Sequence, residues 1–305
     1  MQVLISLTTI DNDYQQEQAA AAEAAARRLG VQTRIVHAEN DAIKQSQQLL
    51  EAIQSPAASR PSAIVLEPVG TALPKVAQAA AAACVGWVVL NREANYMIAV
   101  RKTARTPLFA ISTDHVEVGR IQGRQVAALL PLGGTVLYIE GPSSSSASQQ
   151  RSEGMQTTKP ANIELRKLKG QWTEASAYRA VCSWLSLPMS HAASIDLIAG
   201  QDDSMALGAR KGFEQKTSGV EQQRWLSLPF IGCDGLPKTG QAAVDRGLLR
   251  ATVVIPTNTG LALDMLIAAI RRGVQPAEHT FTVPQSYPRL TELASKQAKA
   301  HAIKP

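Results

Sequence analysis

Short apolar segments alternate along most of the chain with longer segments in which apolar residues recur at helical spacing. The short segments are typical of strands buried on both faces, and the longer ones of amphipathic helices that cover a sheet. Near the start, the pattern predicts a strand over residues 3–9 and an alanine-rich helix over residues 15–29, which ends at a left-handed Gly30. Repeated strand–helix–strand units of this kind predict an α/β fold with parallel sheets.

These units form two successive series of similar size, and the break between them lies near residues 112–114. Predicted strands of the first series lie at 31–37, 63–66, 85–90 and 108–112, with helices at 41–54 and 74–83. Predicted strands of the second series lie at 135–140, 163–168, 195–199, 229–233 and 249–255, with helices at 116–130, 173–185, 205–215, 238–246 and 259–272 and another that begins near 147. We therefore predict two doubly wound lobes, each with its own core.

Composition indicates a folded chain with room for two cores. Of the 305 residues, 45% are hydrophobic and 18% are charged, which excludes a disordered chain. The formal net charge is +6, but lysines and arginines are scattered, so we expect no nucleic-acid partner. No apolar stretch approaches the roughly 18 residues of a membrane span, so we expect a chain that is not membrane-embedded.

The first ten residues contain neither a basic n-region nor a small-residue cleavage site. Either the chain is cytoplasmic, or a signal peptide has been removed and the chain is periplasmic; the sequence leaves both open. Cys84, Cys182 and Cys233 have no metal-binding spacing, and we expect each to be a small buried side chain. No metal or cofactor is expected.

Signatures of catalysis are missing from the chain. It has no Gly-x-Ser-x-Gly elbow, His-Glu-x-x-His motif or phosphate-binding Walker sequence, and no glycine-rich dinucleotide turn follows the first predicted strand. His115 lies beside Asp114, but this pair is more typical of a helix start than of a catalytic dyad. A binding protein is therefore favoured over an enzyme.

Polar and aromatic side chains recur where the predicted strands end. Ligands of open α/β sheets bind beyond the carboxyl ends of the strands, so these positions are candidate ligand contacts. Guanidinium groups donate in a fork and carboxylates accept in pairs, which suits adjacent hydroxyls, and aromatic faces suit the apolar face of a sugar ring. The candidates are Asp13, Tyr14, Glu67, Asn91, Arg92, Arg151, Trp172, Asp202 and Asp234.

Each candidate also has a structural interpretation. Arg92 is able to pair with Glu67, and Trp172 to serve as a peripheral core residue. Of the adjacent acids after the strand at 195–199, one is expected to cap the following helix, since Asp is a favoured N-cap. We assign the cap to Asp203 and the ligand contact to Asp202.

At these residues the chain resembles the type I periplasmic sugar-binding proteins, the ribose-binding and LacI-like ligand-binding family. Residues 202–209, Asp-Asp-Ser-Met-Ala-Leu-Gly-Ala, are similar to that family's Asn-Asp-x-Met-Ala-Leu-Gly-Ala. Residues 231–235, Ile-Gly-Cys-Asp-Gly, are similar to its Val-Gly-Phe-Asp-Gly, and residues 91–92, Asn-Arg, to its Asp-Arg. Further matches lie at 112–119, 151–155 and 249–260, so the resemblance spans essentially the whole chain.

The resemblance implies two lobes joined by a three-stranded hinge, with the ligand in the cleft between them. The N-terminal lobe would contain residues 1–111 plus 256–282, and the C-terminal lobe residues 112–255 plus 283–305. Closure of the hinge would bury the ligand. By analogy, sugar hydroxyls would bond to charged groups and the ring would stack on aromatic ones: Arg92, Arg151, Asp202 and Asp234 for the hydroxyls, Trp172 and Tyr14 for the ring.

Departures from the family pattern bear on the ligand. Asn91 stands where the family has Asp, Asp202 where it has Asn, and Glu67 adds a carboxylate. The late strand lacks the glutamine of ribose-binding proteins; Asn258 is a candidate to replace it, although we expect it to cap the helix from Thr259. The acids at strand ends leave open an amine-bearing sugar as well as a neutral one.

The resemblance implies a solute-binding protein that delivers a sugar or polyol to the permease of an ABC transporter. The alternatives are a ligand sensor of the same fold without a DNA-binding head and, less favoured, an enzyme on a doubly wound fold. We expect a monomer.

Overall fold

The computed structural model describes residues 1–70, 73–92, 95–191 and 194–295. Its strands are, in chain order, β1 (Gln2–Leu7), β2 (Gln32–His37), β3 (Ala63–Leu66), β4 (Gly86–Leu90), β5 (Leu108–Thr113), β6 (Gly134–Glu140), β7 (Ile163–Lys169), β8 (Leu197–Gly200), β9 (Phe230–Asp234), β10 (Ala251–Val254), β11 (His279–Thr282) and β12 (Gln285–Tyr287). Its helices are α1 (Asp13–Leu29), α2 (Ala42–Gln54), α3 (Pro74–Ala82), α4 (Met97–Arg101), α5 (His115–Leu129), α6 (Ser146–Thr158), α7 (Glu174–Leu185), α8 (Pro188–His191), α9 (Asp203–Lys216), α10 (Gly219–Ser227), α11 (Ala242–Asp245) and α12 (Thr259–Arg272). A single π-helical turn, Pro237–Gln241, precedes α11.

The chain divides into two compact units. The first contains Met1–Thr113, Ser144–Ala147 and Thr257–Thr282, and the second contains Asp114–Ser143, Ser148–Pro256 and Val283–Pro305. The backbone therefore passes from one unit to the other after Thr113, Pro256 and Thr282, apart from the short excursion at 144–147.

Each unit is built on one six-stranded sheet. The first sheet has the order β2-β1-β3-β4-β5-β11, and each pair of neighbouring strands in it is parallel. The second has the order β7-β6-β8-β9-β10-β12, and only the β10–β12 pair is antiparallel. The predicted α/β class with two doubly wound lobes is confirmed.

Helices cover both faces of each sheet, because the strand side chains are buried in apolar clusters on both faces. Along β1, Leu4 belongs to one apolar cluster and Val3 and Ile5 to another on the opposite face. Along β6, Leu137 and Tyr138 divide between two clusters in the same way. Continuous apolar runs therefore occupy the centre of both sheets, because successive residues of a strand point to opposite faces.

Strand order creates a crevice at the same place in both sheets. The first strand of each series, β1 or β6, lies between the second and third strands of that series. Connections that leave neighbouring strands in opposite directions open a crevice at the carboxyl ends, and ligands of this fold class bind there. The crevices lie beyond β1 and β3 in the first unit and beyond β6 and β8 in the second.

Three short helices were not predicted, namely α4, α8 and α10. Helix α10 is polar along most of its length, but its Trp225 is fully buried and stacks on Phe213, with ring centroids 4.6 Å apart. The helix is therefore anchored by this tertiary contact and not by a local periodic pattern. The expectation that all three cysteines are buried is wrong for Cys84, which is exposed at the left-handed position after α3.

Candidate functional site

Glu67 directly follows β3 at the crevice of the first unit and is almost fully buried. One carboxylate oxygen, Oε1, lies 3.0 Å from Nη2 of Arg92. The other, Oε2, accepts hydrogen bonds from Nε2 of Gln15 at 2.9 Å and from Nδ2 of Asn91 at 3.1 Å. A buried carboxylate is stable only with such partners. The interpretation of Arg92 as the partner of Glu67 is thus the observed one.

The start of α1 provides the opposite wall of this crevice. Asn12 caps the helix by accepting from the backbone N–H of Gln15 at 3.2 Å. The helix therefore begins two residues earlier than predicted, and Asp13 lies in its first turn, where a negative charge is favourable. Tyr14 is buried, and its hydroxyl accepts from Nδ2 of Asn91 at 3.2 Å.

Asn91 connects these elements from the end of β4, in the left-handed conformation with φ of 54°. Its Oδ1 accepts from Nδ2 of Asn258 at 2.5 Å, and its backbone carbonyl accepts from Nη1 of Arg92 at 2.8 Å. Left-handed φ is uncommon outside glycine but tolerated by Asn. We call Tyr14, Gln15, Glu67, Asn91, Arg92 and Asn258 the first-unit cluster.

The predicted capping role of Asn258 is wrong. Asn258 occupies the N-cap position of α12, but its side chain makes no capping bond and is directed to Asn91. The cap comes from α1 instead, since Oε1 of Gln18 accepts from the backbone N–H groups of Asn258 and Thr259 at 2.9 and 3.0 Å. A long side chain from a neighbouring helix therefore does the work of a local cap.

Arg151 is the centre of the second unit's site. It extends from α6, with only 7% of its side chain exposed. Its Nη1 donates to the backbone carbonyl of Gln201, and its Nε lies 3.4 Å from Nδ1 of His115. Its Nη1 is also 4.0 Å from a carboxylate oxygen of Asp234. Three elements therefore hold one guanidinium, which favours a single orientation.

Trp172 lies against this guanidinium, with the ring centroid 5.3 Å from the Arg151 guanidinium carbon. The residue is half-buried, has φ of 61° and packs at the edge of an apolar cluster. Its ring covers Gly141 so closely that a Cβ there would lie 2.3 Å from a ring carbon. Both interpretations of Trp172, core neighbour and site aromatic, are compatible with this position.

Gln201 organises the crevice between β6 and β8. Its Oε1 accepts from the backbone N–H of Gly141 and from the Ser148 hydroxyl, both at 2.8 Å. Its Nε2 donates to the hydroxyls of Tyr138 and Ser152, each at 3.0 Å. Burial raises the pKa of the Tyr138 phenol, which therefore stays protonated. This fully buried amide fixes the start of α6, and with it Arg151.

The assignment of the helix cap to Asp203 is wrong. Asp202 is the N-cap of α9, because its Oδ1 accepts from the backbone N–H of Met205 at 2.5 Å. Asp203 is buried and accepts from the backbone N–H of Gly235 at 2.8 Å and from the Thr252 hydroxyl at 2.7 Å. Asp203 therefore connects α9 to the loop after β9 and to β10. The cap involves one oxygen of Asp202. A ligand contact by Asp202 stays a prediction.

Asp234 ends β9 with φ of 102°, in the position that Asn91 has after β4 in the first unit. Next to it, burial raises the pKa of the Cys233 thiol, which is therefore no nucleophile at neutral pH. We call His115, Arg151, Trp172, Gln201, Asp202 and Asp234 the second-unit cluster.

Sequence reasoning missed Gln15, His115 and Gln201 as members of these clusters, and it missed Gln18 as the residue that caps α12. Their signal was weak, since a buried glutamine within or before a helix has no characteristic spacing. In the part of the chain that the structure describes, no group of His, Cys, Asp and Glu side chains has the arrangement needed for a metal ion. Across the same residues, no helix is long and apolar enough to cross a membrane.

Comparisons with known proteins give a consistent result. A family model described as periplasmic binding protein domain matches residues 3–273. The ribose import binding protein of Escherichia coli (strain K12) is 27% identical over 191 residues, which cover 61% of this chain and 58% of that protein. The chain thus matches little more than half the length of this relative.

Solved structures of the same fold cover nearly the whole chain. A galactofuranose binding protein has a TM-score of 0.79 at 18% identity, covering 98% of this chain and 99% of its own. The fructose-binding periplasmic domain of a hybrid two-component system has a TM-score of 0.77 at 19% identity, covering 99% of this chain and 95% of its own. At these identities the likeness establishes the fold.

Proposed function

The chain belongs to the periplasmic binding protein domain family, and on that premise we propose that it binds a neutral sugar or polyol by hinge closure and delivers it to an ABC importer. The observation that carries the proposal is that each unit presents, near the crevice of its sheet, a largely buried arginine that contacts a carboxylate and a backbone carbonyl. Those arginines are Arg92 and Arg151, with 12% and 7% of their side chains exposed.

Preorganised guanidinium groups suit hydroxyl-rich ligands. Each donates in a planar fork, and burial strengthens its hydrogen bonds because water competes less. In the proposed complex, Arg92 and Arg151 donate to hydroxyls, and Trp172 and Tyr14 cover the apolar face of the ring. Contacts from Asp13, Asp202 and Asp234 complete the proposed site. Glu67, Asn91 and Asn258 hold the side chains that contact the ligand in place.

A neutral ligand is favoured over an amine-bearing one. The amine alternative rested on the acids at strand ends, but Glu67 is paired with Arg92 and Asp202 caps α9. Asp234 lies 4.0 Å from Arg151. The charges of Glu67 and Asp234 are therefore paired within their units, and a cationic ligand would meet two guanidinium groups at an energetic cost.

The relatives support import as the role of binding. The matched relative from Escherichia coli is described as a ribose import binding protein. Such a role places the chain outside the cytoplasm, in contact with a permease, and fits a monomer. Binding proteins, not enzymes, are what the matched descriptions name.

A sensor is the second candidate, supported by one observation. The fold also occurs in the fructose-binding periplasmic domain of a hybrid two-component system. The two roles differ in their partner: a transport protein stimulates the ATPase of a reconstituted permease, and a sensor does not. Permease and ATPase genes next to this gene would favour transport.

Ligand binding is tested by thermal unfolding against a panel of D-ribose, D-allose, D-galactose, L-arabinose, D-fructose, myo-inositol and D-glucosamine. We expect one of the neutral compounds to raise Tm by several degrees, since ligand at 100 times Kd adds about 2.7 kcal/mol. Small-angle scattering with that compound should show a smaller radius of gyration. Stabilisation by D-glucosamine alone would contradict the neutral ligand, and an unchanged scattering profile would contradict closure.

A further inference from the structure

We propose that Glu67 positions the Arg92 guanidinium, and that it does so only because the side-chain amide of residue 91 donates a hydrogen bond to the Glu67 carboxylate. The inference rests on the proposed function, because the orientation of Arg92 affects binding only if Arg92 faces the ligand. Glu67 itself is almost fully buried, and its charge is used within the protein.

The two oxygens of Glu67 have separate tasks. Oε1 faces Nη2 of Arg92 at 3.0 Å, and Oε2 accepts from Gln15 and Asn91. Gln15 is itself fixed, since its Oε1 accepts from the backbone N–H of Thr8 at 3.1 Å. The backbone at the end of β1 therefore orients Gln15, and Gln15 orients the Glu67 carboxylate. The carboxylate in turn fixes the position of Nη2 of Arg92.

Nη1 of Arg92 is held from the other side, by the carbonyl of Asn91 at 2.8 Å. Two nitrogens of a rigid planar group bonded to two different strand ends leave it one orientation. Removal of the Glu67 charge would release one of these nitrogens and leave a guanidinium without its buried counter-ion, which is unfavourable.

Of positions 67 and 91, one must carry the hydrogen-bond donor and the other the acceptor. A carboxylate at 91 would lie about as close to Oε2 of Glu67 as Asn91 Nδ2 does, at 3.1 Å. Two buried carboxylates at that separation do not both ionise, so the pKa of one of them rises. If the groups are exchanged, with an amide at 67 and a carboxylate at 91, the bond between them re-forms in the opposite direction, and only the bond from Gln15 to position 67 is lost. Asn258 would still donate to position 91, as it does to Oδ1 of Asn91.

The test is a cycle of Glu67→Gln, Asn91→Asp and the double exchange, with exposed Glu23→Gln as the matched control. Without ligand, thermal unfolding is measured from pH 5 to pH 8. We expect Asn91→Asp to lose stability relative to wild type as pH rises. One carboxyl of the pair has a raised pKa in the folded protein, and the proton that stabilises the fold is lost as pH rises through that pKa. In the double exchange this pH-dependent loss should disappear.

Positioning is measured in the same variants by NMR of the Arg92 guanidinium and by titration with D-ribose, D-allose and myo-inositol. We expect both single variants to broaden or shift the Arg92 signal and to weaken sugar binding at least tenfold. The double exchange should recover part of both, because it restores the bond between positions 67 and 91 but not the bond from Gln15. Glu67→Asp, which keeps the charge and shortens the side chain, should bind better than Glu67→Gln.

Two results would overturn the inference: an Arg92 signal unchanged in Glu67→Gln, or a double exchange as impaired as the two single changes added together. Absence of sugar binding by the wild-type chain is a different result. It would contradict the proposed function, while the pH cycle and the Arg92 signal would still decide whether Glu67 positions Arg92.

Discussion

The Trp172 ring lies with its centroid 5.3 Å from the guanidinium carbon of Arg151, and its far edge covers Gly141. A cation at this distance from an aromatic face is attracted by the negative face of the ring. Since the ring also packs at the edge of an apolar cluster and against Gly141, it has little freedom to move. The pair therefore joins the loops after β6 and β7 to helix α6 in a defined arrangement.

Gly141→Ala should displace Trp172 and weaken sugar binding. The new Cβ would lie 2.3 Å from a ring carbon, closer than atoms approach without movement. We expect about tenfold or greater loss of affinity, from a lost stacking surface and a lost cation–π contact worth about 1–2 kcal/mol. Calorimetric titration with the panel sugar that binds wild type measures this.

Gly260→Ala is the control for that substitution. Its Cβ would meet nothing closer than 3.7 Å, and alanine has a higher helix propensity than glycine. Affinity should stay at the wild-type value in this variant. Equal affinity in the Gly141 and Gly260 variants would contradict the role given to Trp172.

Asp203→Ala should destabilise the protein far more than Asp202→Ala. Loss of Asp203 leaves the buried Gly235 N–H and Thr252 hydroxyl without their acceptor, at an expected cost of about 3 kcal/mol or more. Loss of Asp202 removes one N-cap bond, for about 1 kcal/mol. Urea unfolding of both variants gives the comparison, and the opposite order would mean that Asp203 is not the structural acid.

Stability should depend on the ionisation of Glu140. Burial by itself raises the pKa of the Glu140 carboxyl, but hydrogen bonds from Lys167, Lys169 and Ser152 outweigh burial and lower it below its ordinary value of 4.5. A lowered pKa in the folded state stabilises the fold above the ordinary pKa, and this stabilisation is lost as pH falls through the folded value. Glu140→Gln should therefore cost about 2 kcal/mol at pH 7 and progressively less below pH 4.5.

Chemical unfolding of wild type and Glu140→Gln between pH 3 and pH 7 measures this difference. Glu164→Gln is the matched control, because Glu164 lies on the neighbouring strand with 65% of its side chain exposed and exposed ion pairs contribute little. A difference for Glu140→Gln that does not shrink with acid would show that the ammonium groups do not stabilise its charge.

Gln201→Leu should cost about 3 kcal/mol and weaken sugar binding as well. The substitution removes an acceptor and a donor that are both buried, so the Gly141 N–H and the hydroxyls of Ser148 and Tyr138 lose this partner. Exposed Gln149→Leu in the same unit serves as the control, since its side chain makes one bond to the carbonyl of Ser143. Normal binding by Gln201→Leu would contradict the link between Gln201 and Arg151.

Most of the fold was predictable from local pattern. Short apolar runs separated by amphipathic helices predicted β1 to β10, and turn residues such as Gly30 predicted helix ends. The short edge strand β12 was not predicted. Other misses depend on distant contacts: α10 is anchored by Trp225 stacking on Phe213, and the cap of the correctly predicted α12 comes from Gln18 of another helix. Neither contact has a signature in the nearby sequence.

For the site, the sequence by itself determined which residue types lie at the strand ends, because the strand period and the polar residue after each strand are local properties. Only the tertiary structure decided how those residues are used. Asp202 and Asp203 are neighbours with the same side chain, and their roles differ because one carboxylate meets the N-terminus of its own helix and the other meets Thr252, 49 positions along the chain. In the same way, burial against Gln15, Asn91 and Arg92 commits Glu67 to the protein, since a buried charge requires partners that only the folded chain brings together.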